Sequence, residues 1–130
     1  MYKVNIDGVA ELTEEVQKVE FSSETPVDSG ARSSSIVATM TITGRVAYDS
    51  DKVFMKEATG KIAEWSMKKP DSPETYKSVT VDFDHTGVSR SYSLENAFVV
   101  SFKESFEDQN GYFKLVVRQK KDRLDGVSVE

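Results

Sequence analysis

Two stretches of this chain alternate apolar and polar side chains for about fourteen residues or more, which is long for a strand. In "SIVATMTITGRVAY", Ile36, Ala38, Met40, Ile42, Val46 and Tyr48 share one side, while Ser35, Thr39, Thr41, Thr43 and Arg45 share the other. In "SYSLENAFVVSFKESF", Tyr92, Leu94, Phe98, Val100, Phe102 and Phe106 alternate with Ser91, Ser93, Glu95, Ser101, Lys103 and Ser105. A period of two belongs to a β-strand with one buried face. Strands this long bend through a sheet or run across two packed sheets. Gly44 and Asn96 each interrupt an apolar face, and a glycine there marks a bend or a bulge.

The flanking segments extend the β pattern. "YKSVTVDF" places Val79, Val81 and Phe83 on one face, and Asp84 to Gly87 reads as a turn with glycine supplying a positive φ. Asn110-Gly111 is a hairpin signal, followed by "YFKLVVRQ". Residues 76–119 therefore form a three-stranded antiparallel meander. "YKVNI", "VQKVEFSS" and "GVSVE" are shorter strands.

One helix interrupts this order, at about residues 50–67. Asp49 or Ser50 can cap its start, Pro70 stops it, and Phe54, Ala58, Ile62 and Trp65 form one apolar stripe. Such a stripe lies across a sheet or over the open end of a barrel. The whole chain, 1–130, reads as one mainly β (α+β) domain: a small antiparallel barrel or sandwich with one packed helix.

"SSETPVDSGARSSS", Ser22 to Ser35, is a long polar loop between two strands. Loops of this length without secondary structure are uncommon in compact domains. Its side chains bury too little apolar surface to offset their ordering entropy. The sequence has no cysteine, which excludes disulfides, Cys-ligated zinc and thiol catalysis. A net charge of −5 argues against a nucleic-acid surface. The local cluster Arg118, Lys120, Lys121 and Arg123 reads as a solvated strand end. The first residues lack the pattern of a signal peptide, and no stretch approaches the ~18 apolar residues of a membrane helix. A cytoplasmic protein is expected.

Catalytic constellations are scarce. His85 is the only histidine, in a turn beside Asp82 and Asp84. A surface turn explains all three without a metal. No nucleophile elbow, phosphate loop or dinucleotide fingerprint is present. No cofactor, metal or catalytic residue is assigned. Tyr92, Phe98 and Phe102 are core residues, or else line a cavity in a small ligand-binding barrel. A hydrolase would have to be built on His85. The polar faces Thr39, Thr41, Thr43, Arg45 and Ser91, Ser93, Glu95 meet either bulk water or a water-filled channel between subunits.

The order of these parts resembles a family. A Ser/Gly-rich loop precedes a long strand, one helix ends near Trp65, and then come "KSVTVDF", "RSYSLENAFVVSFKESF" and "GYFKLVVRQKKD". This is similar to tube proteins of contractile injection machines: the haemolysin-coregulated protein of type VI secretion, and tail-tube proteins of contractile phages and phage-like particles. The resemblance covers roughly residues 16–130 and lies in element order. It implies a structural, non-enzymatic subunit that forms six-membered rings stacked into a hollow tube, inside a tail-like particle. Its partners would be further copies of itself, a sheath and baseplate or spike proteins, with DNA or protein as possible cargo. The resemblance gives Pro26, Val27, Asp28, Ser29, Gly30, Ala31 and Arg32 the place of an arm that orders against a neighbour. It makes Thr39, Thr41, Thr43, Arg45, Ser91, Ser93 and Glu95 candidates for the lumen wall.

Overall fold

The computed structural model describes residues 1–25, 36–46, 53–108, 110–120 and 126–130, with backbone alone for 53–57. The strands are β1 (Tyr2–Ile6), β2 (Ala10–Leu12), β3 (Val16–Glu24), β4 (Val37–Val46), β5 (Lys77–His85), β6 (Val88–Glu107), β7 (Asn110–Gln119) and β8 (Val127–Val129). The helix α1 spans Val53–Ser66. Each predicted strand and the helix are present. β2 is the addition, and at three residues it is too short to show a period.

The strands form one antiparallel sheet in the order β2-β1-β5-β6-β7-β4-β3, with β8 also on β6. β6 is where this sheet folds over. Up to Ala97 it pairs with β5, and Tyr92–Leu94 pair with β8. From Ala97 to Glu107 it pairs with β7. Two leaves result: β2-β1-β5 with the first half of β6 and β8, and the second half of β6 with β7-β4-β3. Both leaves feed one core. Val4, Ile6, Leu12, Val79, Val81 and Leu94 come from the first, and Met40, Ile42, Phe113, Leu115 and Val117 from the second. Phe21 of β3 stacks on Tyr92 of β6 across the gap, with ring centroids 4.8 Å apart.

No ladder joins β3 to β1 or β2 among the described residues, so the sheet is an open sandwich rather than a closed barrel. α1 lies against β2, β4 and β6, and so covers one end of both leaves. Ala58, Ile62 and Trp65 carry its apolar stripe inward, and the Trp65 Nε1–H donates to the carbonyl of Thr75 at 2.9 Å. The side chain of Phe54, and the capping candidates Asp49 and Ser50, lie outside the described residues. No helix among the described residues is long and apolar enough to cross a membrane.

Two bulges in β6 correct the expected alternation. The ladder to β5 slips between Leu94 and Ala97, and the ladder to β7 slips between Val99 and Ser101. Each extra residue moves the following side chains to the opposite face. Ala97 and Val99 therefore turn inward, where simple alternation places Phe98 and Val100. Phe98 packs edge-on against Tyr76 at 6.1 Å instead, and Val100 is exposed. The second bulge restores the parity, so Phe102 faces the core as expected. Asn96 is thereby taken off the apolar face. Its N–H donates to Oε1 of the buried Gln119 at 3.0 Å, and its carbonyl accepts from the N–H of Lys120 at 2.8 Å.

Gly44 faces a bulge in the partner strand, between Val16 and Lys18. A Cβ on Gly44 would lie 2.1 Å from the carbonyl oxygen of Glu15, which accepts from the N–H of Arg45. Asn110-Gly111 is not the hairpin turn: Glu107 pairs with Asn110, and Asp108 holds the positive φ of 39°. Gly111 serves packing, since its Cβ would meet Phe106 and Val46 within about 3.0 Å. The expected loop also starts later than Ser22. Ser22, Ser23 and Glu24 pair with Thr39, Ala38 and Val37. Pro26, Val27, Asp28, Ser29, Gly30, Ala31 and Arg32 lie outside the described residues.

Candidate assembly face

The second leaf presents its polar face away from the core. On β4, Ala38, Met40, Ile42, Gly44 and Val46 are buried, while Thr39, Thr41 and Thr43 are half-buried and Arg45 is exposed. Strand pairing extends each of these residues into a row across the leaf. The rows are Ser22–Thr39–Arg118–Phe98, Glu20–Thr41–Val116–Ser101 and Lys18–Thr43–Lys114–Lys103, and then Arg45–Tyr112–Ser105. Within them the Arg118 guanidinium donates to Oγ1 of Thr39 at 3.2 Å, and Arg45 donates to Oδ1 of Asn110 at 2.6 Å while lying over the Tyr112 ring. The cross-strand lysines Lys103 and Lys114 face each other. Alternation alone places Ser101, Lys103 and Ser105 on a polar face of β6; that they share rows with β4, and with the partners on β3 and β7, follows from the pairing.

Ser91, Ser93 and Glu95 lie elsewhere, on the first leaf. Ser91 and Ser93 stand opposite Asp82 and Thr80, and the Ser91 hydroxyl donates to Oδ1 of Asp82 at 2.7 Å. Glu95 sits in the first bulge, with Gly126 packed close over it. The fold therefore places the two sets of predicted lumen residues on different leaves, on either side of the turn in β6.

The edges of the second leaf matter as much as its face. Beyond Ala97, β6 pairs with β7 on one edge, and no strand pairs with the other among the described residues. At the opposite side of the leaf, β3 pairs with β4 alone. The leaf is thus four strands wide with an unpaired ladder at each side.

The aromatic residues do not gather round one cavity. Tyr92 is stacked on Phe21, Phe98 is outside against Tyr76, and Phe102 packs on the core. His85 is exposed at a hairpin end and stacks parallel to Phe83, at 6.5 Å. Asp82 and Asp84 alternate with Phe83 and point to the other face. Among the described residues no group of three His, Asp or Glu side chains is placed to hold a metal ion. Arg118 and Lys120 of the basic cluster are engaged with Thr39 and the Tyr76 ring, and residues 121 and 123 lie outside the described residues.

The chain matches no protein-family model and no curated protein. Among solved structures it is similar to a chain in the six-fold symmetrised cryo-EM structure of the anti-feeding prophage (AFP) baseplate. The two are 9% identical, the match covers 99% of this chain and 90% of that chain, and the TM-score is 0.48.

Proposed function

We propose that this protein is a structural subunit that joins edge to edge with copies of itself into a ring, the repeating unit of a tube in a contractile injection particle. The observation that carries the reading is the four-stranded second leaf with two unpaired edges, together with the resemblance in element order to tube proteins. Unpaired ladders invite pairing with another chain unless they are managed. Here an even number of antiparallel strands separates the two edges, so β3 and the second half of β6 run in opposite directions. Rotation about an axis along the strands preserves strand direction. The β3 edge of one copy then meets the β6 edge of the next as an antiparallel pair.

This contact is head-to-tail, and repeated rotation closes it into a ring. The apolar side of each leaf stays against its own core. The polar rows through Thr39, Thr41, Thr43 and Arg45 then line the channel. Ser91, Ser93 and Glu95, on the first leaf, take the other surface of the subunit in this arrangement. Sheath and baseplate proteins are the partners that the reading implies. Light scattering over a concentration series, with negative-stain microscopy of the same samples, tests it. Closed rings or stacked tubes are expected at high concentration. A strict monomer throughout, with no ring in any field, contradicts it.

A further inference from the structure

The unpaired edge of β6 carries an unusual residue. Glu104 pairs with the buried Phe113, which itself pairs with Gly44, so its side chain belongs to the inward, apolar row. Its neighbours on that face are Phe102 and Phe106 on β6, Gly111 and Leu115 on β7, and Val46 on β4. The described inward residues of α1, namely Ala58, Thr59, Ile62 and Trp65, add no charge. Among the described residues the other titratable group near this row is Glu15, whose carboxylate accepts from the N–H of Thr13. Glu104 makes no hydrogen bond or ion pair among the described residues. Its outward neighbours Lys103 and Ser105 point the other way. The same edge is also broken by the bulge at Val100.

An inward-pointing charge and a bulge are two known ways of blunting a strand edge. We propose that the ionised Glu104 carboxylate is a gate on this edge, which holds off the β3 edge of a second copy until the charge is neutralised. The proposal rests on the ring reading above and adds its control. A docking strand would strip the remaining water from a carboxylate that faces Phe102, Phe106 and Phe113. Burying an unpaired charge is costly, whereas a neutral amide or acid of the same shape is tolerated far better. Burial already raises the carboxyl's proton affinity in the single subunit, in keeping with its partial loss of water.

The test compares the concentration at which rings appear for the wild type, Glu104→Gln and Glu107→Gln. Glu107 is exposed at the end of the same strand, so its variant removes the same charge without touching the inward row. The comparison is made near neutral pH, because the sequence pI is about 5.0 and acidification would discharge the whole molecule. Glu104→Gln is expected to lower the threshold roughly tenfold, because the docking strand then covers a neutral amide rather than an unpaired charge. Glu107→Gln should leave it within about twofold, as expected for an exposed, screened charge. Rings from all three proteins at one threshold overturn the gate and leave the ring reading standing. An equal fall in both variants also overturns it, since net charge alone would then account for the change. No ring from any of them overturns both.

Discussion

Of the described glycines, Gly44 leaves the least room for a side chain. A methyl group there would meet the Glu15 carbonyl at 2.1 Å and the Phe113 ring at 2.8 Å, both held by backbone or core. Gly44→Ala is expected to destabilise the fold by ~1–3 kcal/mol or more, the usual range for overpacking a core. A denaturant titration reads this directly, and an unchanged midpoint would contradict it. The glycine is legible in the sequence as a gap in an apolar face. Its cause is not, because the carbonyl that fills the gap arrives from the bulge in β3. Glu104 gives a second residue-scale prediction. Desolvation raises its folded pKa above the ordinary 4.5, so the folded state holds the proton more tightly than the unfolded chain. The stability gained from that proton is complete below 4.5 and is lost as pH rises through the raised folded value. Glu104→Gln should therefore melt higher than the wild type at neutral pH, with the difference closing on acidification below 4.5. A gap that widens towards acid would refute this assignment.

At the scale of the element, β6 decides the architecture. It is 20 residues long and pairs with three strands. Its two bulges let one strand serve two leaves. The first bulge is held by Gln119, a buried amide that accepts from the N–H of Asn96. Gln119→Leu keeps the bulk and leaves that N–H without its acceptor, at a cost of ~1–3 kcal/mol. Thermal melting would show the loss, and the Asn96 amide should exchange faster with solvent. Unchanged exchange at Asn96 would place the support elsewhere. The strands and the helix are readable from sequence because their periods are local. The faces of β6 beyond Asn96 are not, because one inserted residue reverses the parity and its position is fixed by partners on β5 and β7. Asn96 on an apolar face was the visible trace of that event. The same limit explains the aromatic residues: a ring's parity could be counted, but not whether Phe98 lay inside or out.

For the molecule as a whole, the central claim is that the second leaf is an unfinished sheet completed by a neighbour. The polar face of β4 was legible, as were the class of fold and the place of the helix. The unpaired edges were not, since an edge is defined by which strands are missing beside it. The absence of cysteine makes the claim directly testable, because introduced thiols are the only ones present. Glu20 and Ser101 are exposed at the two ends of one cross-strand row, on β3 and on the second half of β6, and rotation about an axis along the strands brings them level. Glu20→Cys and Ser101→Cys, singly and together, would be treated with a short bis-maleimide under conditions that favour assembly. The account predicts a ladder of linked subunits ending in one closed species for the double variant, and no ladder for either single variant. Dimers from Glu20→Cys alone, or no linked product from the double variant, would contradict it.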